Sequence, residues 1–236
     1  MSIYMYGRIP VLTAINNKKT LKVFLLESEP CKDVLDSCKK NSIEPVLISN
    51  AELGKLSNGG IHQGVVALCK DYEYSSLEEV ITESKKVSRP IILMLDGIED
   101  PHNLGAIIRC ADAFGVSGLI IKKRNQVLIN ATVIKVSTGA SDFIKTALVT
   151  NLSSAIEVLK SNGFWIVSSD GKSDVSYSSL KYDMPIVLVI GSEGFGISKL
   201  VLDRSDFVVK IPMLGHVNSL NASVATGIIL SYISSH

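Results

Sequence analysis

Several features that would set the class of this sequence at once are missing from it. No apolar run approaches the roughly 20 residues of a membrane-spanning helix; runs such as IILML and IVLVI have the length of buried strands. Charge of one sign is missing too. The 24 Lys and Arg stand against 23 Asp and Glu, a net of +1, so no basic domain marks a nucleic-acid binder, although charges can segregate onto one face. The four cysteines, Cys31, Cys38, Cys69 and Cys110, form no CxxC pair and no His/Cys metal spacing, which reads as free thiols in a reducing compartment. The opening stretch MSIYMYGRIPVLTAINNKK carries a proline and no basic-then-apolar pattern, so a cytoplasmic location without membrane attachment is expected. What is present is ample core material. Hydrophobic residues make up 46% and charged residues 20% of 236, a length that suits two domains.

The hydrophobic patterning alternates helix and strand signals throughout. In the first part, IPVLTAINN and CKDVLDSCKKN read as helices, and KVFLLES, PVLIS and GVVALCKDY as strands. The stretch NAELGKLSNGGIHQG reads as a short helix followed by a glycine-broken loop. These make a small α/β unit of three or four strands over residues 1–72. The polar stretch YEYSSLEEVITESKKVSR reads as a connector. A second α/β domain, 73–236, follows with the strands IILMLD, GLIIKK, FIKTALV, FWIVSSD, IVLVIG and FVVKIP. Their hydrophobicity is continuous rather than alternating, which argues for a mostly parallel sheet covered on both faces. Helices are expected in NLGAIIRCADAFG, NATVIKVSTG, NLSSAIEVLKSNG, ISKLVLDRS and SLNASVATGIILSYI.

In such a sheet the ligand lies where strand ends open into loops, and three loops are unusual in composition. DGIEDPHNLG offers Asn103 as an N-cap, with Arg109 leaning back along the helix towards the loop mouth. The plain alternative for Arg109 is a solvated pair with Asp112 one turn on. IVLVIGSEGFGISKL spaces its glycines as G-x-x-G-x-G, not G-x-G-x-x-G, and Ile197 stands where a phosphate-binding Lys would be required. Glu193 inside that loop would repel a phosphate, so its ligand should be neutral or cationic there. VVKIPMLGHVNSLNASVATG offers Ser219 as the cap of a helix of small residues, with Asn221 one position inside it. Asp96, Glu99, Asp100 and His102 cluster in sequence, but nothing spaces them as ligands on a shared face, so no metal is expected.

Taken together, DPHNLGAIIR, VIGSEGFGI and IPMLGHVNSLNASVATGI resemble the three motifs of the SpoU/TrmH family, the ribose 2′-O-methyltransferases of the SPOUT class, over about residues 90–234. YGRIPVLTAI and GGIHQGVVAL resemble the small RNA-binding domain that precedes the catalytic domain in the bacterial 23S rRNA guanosine type. The resemblance implies a C-terminal SPOUT-type α/β domain with a trefoil knot, a homodimer, and S-adenosylmethionine held largely by backbone around Thr138, Gly191, Ile211 and Leu220. It further implies catalysis by Arg109 with Asn103, Glu193, Ser219 and Asn221. RNA contacts are expected from Arg8, His62 and Gln63, with Lys18, Lys19 and Lys22 adding phosphate contacts. The implied substrate is a guanosine ribose in large-subunit precursor rRNA. The alternatives are a tRNA guanosine or rRNA adenosine enzyme, or a catalytically silent RNA-binding assembly factor.

Overall fold

The computed structural model describes residues 2–235, which fall into two compact units, residues 2–73 with 129–142, and residues 74–128 with 143–235. In the first, β1 (Ser2–Tyr6), β2 (Thr20–Leu26), β3 (Val46–Ile48) and β4 (Val65–Lys70) form a sheet of order β1-β4-β2-β3. β4 runs antiparallel to both of its neighbours, and β3 runs parallel to β2. α1 (Arg8–Asn16), α2 (Lys32–Lys40) and α3 (Asn50–Leu56) connect the strands. β1 has no counterpart in the sequence reading, because the five-residue stretch SIYMY is too short to show a period of its own and is fixed by pairing with residues 66–70 of β4.

A later part of the chain also belongs to this unit. α6 (Ala131–Val136) begins at Asn130, whose side chain accepts from Val133 N, and continues through a turn to a short 3₁₀ segment ending at Asp142. Lys135 donates to the carbonyl of Ile61 at 2.7 Å and stands 4.7 Å from the centre of the Tyr6 ring. Asp142 is nearly fully buried and pairs with Lys19 at 2.8 Å. Lys19 is thereby committed to an internal ion pair rather than left for phosphate.

The second unit is built on six parallel strands: β5 (Ile91–Asp96), β6 (Gly118–Lys122), β7 (Thr146–Val149), β8 (Trp165–Ser169), β9 (Ile186–Gly191) and β10 (Phe207–Val209). Their order is β10-β8-β9-β5-β6-β7. Every residue of β5 is buried, as continuous hydrophobicity requires of a central strand covered on both faces. On one face Ile92, Met94, Val187 and Val189 pack with residues of α4 (Leu77–Ser84) and α7 (Leu152–Ser161). α5 (Pro101–Ala113) and α9 (Ala222–Ser235) pack against each other. Gly227 of α9 faces the Cys110 thiol, and buried Thr226 returns its hydroxyl to Ala222 O, so small residues bring the two helices close.

At the carboxyl end of β5, Asp96 fastens the loop that follows β9. Its backbone carbonyl accepts from Ser192 N at 3.1 Å, and its carboxylate accepts from Ser198 N at 2.8 Å and Lys122 Nζ at 2.6 Å. Burial works against the charged form of this side chain, which is 4% exposed. The hydrogen bonds from Lys122 and Ser198 outweigh burial and hold its pKa below the usual carboxylate value. A depressed folded-state pKa contributes stability above the unfolded value near 3.9, and that contribution is lost as pH falls through the folded value. Asp96→Asn should therefore cost about 1–3 kcal/mol at pH 7, with the gap to wild type closing as pH falls below about 4. Urea unfolding at the two pH values checks this; a gap that does not change with pH would refute the assignment.

Candidate active site

Three loops leave the carboxyl ends of strands on one side of the sheet: 97–100 after β5, 192–198 after its neighbour β9, and 210–221 after β10, which β8 separates from β9. In the first, Pro101 occupies the first helical turn of α5, and Asp100 caps the helix by accepting from His102 N at 2.9 Å. Asn103 is therefore not the cap that the sequence suggests. Its side chain is released from that duty and turns to the next loop. In the third, α9 starts at Ala222, and the Asn221 side chain accepts from Ser223 N at 2.9 Å. Asn221, not Ser219, is the capping residue.

The two asparagines meet at Glu193. Glu193 Oε1 accepts from Asn103 Nδ2 at 3.0 Å, from Asn221 Nδ2 at 2.5 Å and from Ala222 N at 3.3 Å, and Asn221 Nδ2 also donates to Asn103 Oδ1 at 2.8 Å. One carboxylate oxygen thus gathers a side chain from the first turn of α5, Asn221 from the end of the third loop, and the first amide of α9. The donors are charge-assisted and one is a backbone amide at a helix N-terminus, where negative charge is favoured.

The glycine loop is shaped by close approach. Ser192 N donates to Gly196 O at 3.2 Å and Gly196 N to Ser192 O at 2.9 Å, closing a tight turn. A side chain at Gly191 would overlap the backbone of Gly196 and Ile197, so only glycine fits there. Gly191, Glu193, Ser219, Leu220 and Ile211 line one cavity of about 170 Å³. Its remaining wall holds no Lys or Arg, and its charged members are Glu193 and Asp170. Such a cavity is hostile to phosphate and suited to a neutral or cationic ligand held by backbone groups.

Ser169, Asp170 and Gly171, at the end of β8, also line this cavity and were not singled out by the sequence reading. The signal was present: FWIVSSDG ends in the same Asp-Gly step as IILMLDG. Arg109 lies on the exposed face of α5, outside the Glu193 cluster, and makes no hydrogen bond or ion pair with a described residue. The Asp112 pair is not formed. Thr138 belongs to the first unit, in the turn after α6 with φ at +54°, and donates to Ser137 O at 2.7 Å. Arg8, His62 and Gln63 are in that unit as well. Gln63 Oε1 accepts from Arg8 N at 2.9 Å, Arg8 Nε pairs with Asp33 at 2.5 Å, and His62 Nδ1 accepts from Gly64 N at 3.2 Å.

A family model described as the SpoU rRNA Methylase family matches residues 90–231, which is more than half of the chain. The chain belongs to this family. A second model, described as RNA 2′-O ribose methyltransferase substrate binding, matches residues 4–75 of this SpoU-family chain. A Staphylococcus epidermidis protein assigned to the TrmH family of tRNA/rRNA methyltransferases is 43% identical over 233 residues, 97% of this chain and 93% of its own length. Two crystal structures share the fold. The SpoU methyltransferase AviRb from Streptomyces viridochromogenes in complex with AdoMet aligns with a TM-score of 0.85 at 21% identity, over 99% of this chain and 89% of its own. An AdoMet-bound rRNA methyltransferase from Sinorhizobium meliloti aligns with a TM-score of 0.83 at 24% identity, over 100% of this chain and 87% of its own.

The geometry of the SpoU-family glycine loop yields a direct test. Gly191→Ala must push the 192–196 turn away from its anchors, at a cost of about 1–3 kcal/mol. Faster amide exchange at Gly196 and a lowered Tm are expected; wild-type exchange there would show that the turn has room for a side chain.

Proposed function

We propose that this SpoU-family chain transfers a methyl group from S-adenosylmethionine to the ribose 2′-hydroxyl of a guanosine in large-subunit precursor rRNA, and that it does so as a homodimer. The observation that carries the reading is the cavity walled by the loops after β8, β9 and β10. It has carboxylates and backbone groups, has no cationic side chain, and borders the Asn103–Glu193–Asn221 cluster. Those features fit the cofactor, which carries a sulfonium and no phosphate. Gly191, Ile211 and Leu220 would hold it, and Asp170 offers an acceptor for sugar hydroxyls. Thr138 is retained as a cofactor contact on the family resemblance alone. The trefoil knot belongs to the same reading.

When bound, S-adenosylmethionine supplies an electrophilic methyl group, and the protein's task is to hold the 2′-oxygen in line with it, about 3 Å away. Asn103 and Asn221 are fixed by Glu193 and so present rigid amides at the rim. A guanidinium keeps its proton in proteins, so Arg109 acts as a fixed positive charge. It grips the RNA phosphate and stabilises the oxygen as negative charge develops on it, while the hydroxyl proton passes to water. Its exposed, unengaged position on α5 supports that role. The substrate-binding match over residues 4–75 supports recruitment of RNA by Arg8, His62 and Gln63 in the first unit.

The test is transfer of labelled methyl from S-adenosylmethionine to total RNA of a methylase-deficient strain, with the product nucleotide mapped. Label should appear as 2′-O-methylguanosine in large-subunit rRNA, and Arg109→Ala should lower the rate by about 100-fold or more while leaving cofactor affinity within about threefold. Label in tRNA, or on an rRNA adenosine, would overturn the substrate assignment. No label on any RNA, with cofactor still bound, would favour the silent assembly factor.

A further inference from the structure

Phe195 has no place in the arrangement described so far, and its surroundings indicate one. Its ring is 98% exposed, although aromatic rings ordinarily contribute to stability by being buried. The exposure is not that of a loose loop. Phe195 sits at the tip of the turn closed by the paired Ser192 and Gly196 hydrogen bonds, and its own N donates to Ser192 Oγ at 3.3 Å. The ring is therefore displayed on a braced support.

Phe195 is among the residues at the edge of a cavity of about 290 Å³ that Gly97, Glu99, Asp100, Asn103 and Glu193 also line. That cavity meets the one assigned to the cofactor at Glu193 and Ser192, which line both. A group resting there would be next to the reacting centre. Its polar lining is rich in acceptors, and Glu99 makes no hydrogen bond or ion pair with a described residue. A phosphate would be repelled, whereas a flat ring with N–H groups on its edge would be accepted. Among the parts of a nucleotide only the base answers that description.

We propose that Phe195 is the stacking platform for the base of the target nucleotide and that Glu99 accepts hydrogen bonds from that base's donor edge. The proposal rests on the reading of this site as an RNA ribose methyltransferase and deepens it. Stacking on one face is tolerant of base identity, because every base has a π-face. The carboxylate supplies the discrimination: guanine offers two neighbouring donors, N1–H and the N2 amino group, to a bidentate acceptor. The ribose of a base so placed stays beside Asn103 and Glu193, which orients its 2′-hydroxyl.

The experiment compares wild type, Phe195→Ala, Phe195→Trp and Glu99→Gln in methyl transfer to an unmodified large-subunit rRNA transcript and to the same RNA with inosine at the target. Cofactor affinity and self-association are measured alongside. Phe195→Ala should lower kcat/KM for RNA about tenfold or more, with cofactor affinity and self-association unchanged, and Phe195→Trp should restore it to within about threefold. Glu99→Gln should narrow the preference for guanosine over inosine. Full activity in Phe195→Ala, equal loss in the Ala and Trp variants, or loss that tracks a change in self-association would overturn the stacking role. An unchanged guanosine preference in Glu99→Gln would overturn the edge contact. Absence of transfer by wild type itself overturns the proposed function and this proposal with it, whereas the preceding outcomes leave that function standing.

Discussion

Glu193 Oε1 is the point on which the site depends. Three donors converge on that oxygen, from Asn103, Asn221 and the amide of Ala222, and through them the loops after β5, β9 and β10 hold one arrangement. Each loop taken separately would be a flexible surface connection, because each is polar, glycine-containing and exposed over much of its length. Gathered on one carboxylate they form walls. The same arrangement explains why the glycine loop contains an acid and no cation: the carboxylate is employed in holding the site together and in setting its charge.

Beneath this contact lies a second layer that acts on the same loop from inside. Asp96 fixes both ends of the 192–198 segment, by its carbonyl to Ser192 and its carboxylate to Ser198, and Lys122 compensates its buried charge. Gly191 then permits the turn to fold back against its own strand. Positioning therefore runs outward from the central strands β5 and β9 to the turn, from the turn to Glu193, and from Glu193 to the asparagines. Phe195, at the tip of that turn, inherits the same rigidity.

Much of this was legible in the sequence because it is written in strong local signals. Continuous apolar runs gave the parallel strands, and three strand-to-loop junctions of unusual composition located the site. What was not legible concerns choices that differ by one to three residues. Asn103 and Ser219 are competent caps by residue type, yet Asp100 and Asn221 do the capping. Pro101 carried the information for the first case, since proline favours the first helical turn and makes the residue before it the cap. The second had no such marker. The placement of residues 129–142 in the first unit was beyond reach for a different reason. It is fixed by Lys135 on Ile61 and Asp142 on Lys19, contacts between segments more than 70 residues apart that no local pattern records.

The central claim is that the loops act as one binding site because Glu193 joins them. Amide hydrogen exchange of the whole chain, with and without S-adenosylmethionine, tests it most directly, in wild type and in Glu193→Ala. The account predicts that the cofactor slows exchange together in residues 191–197 and 211–222 of wild type, and that the variant loses this joint protection. Protection confined to one loop, or equal protection in the variant, would contradict it.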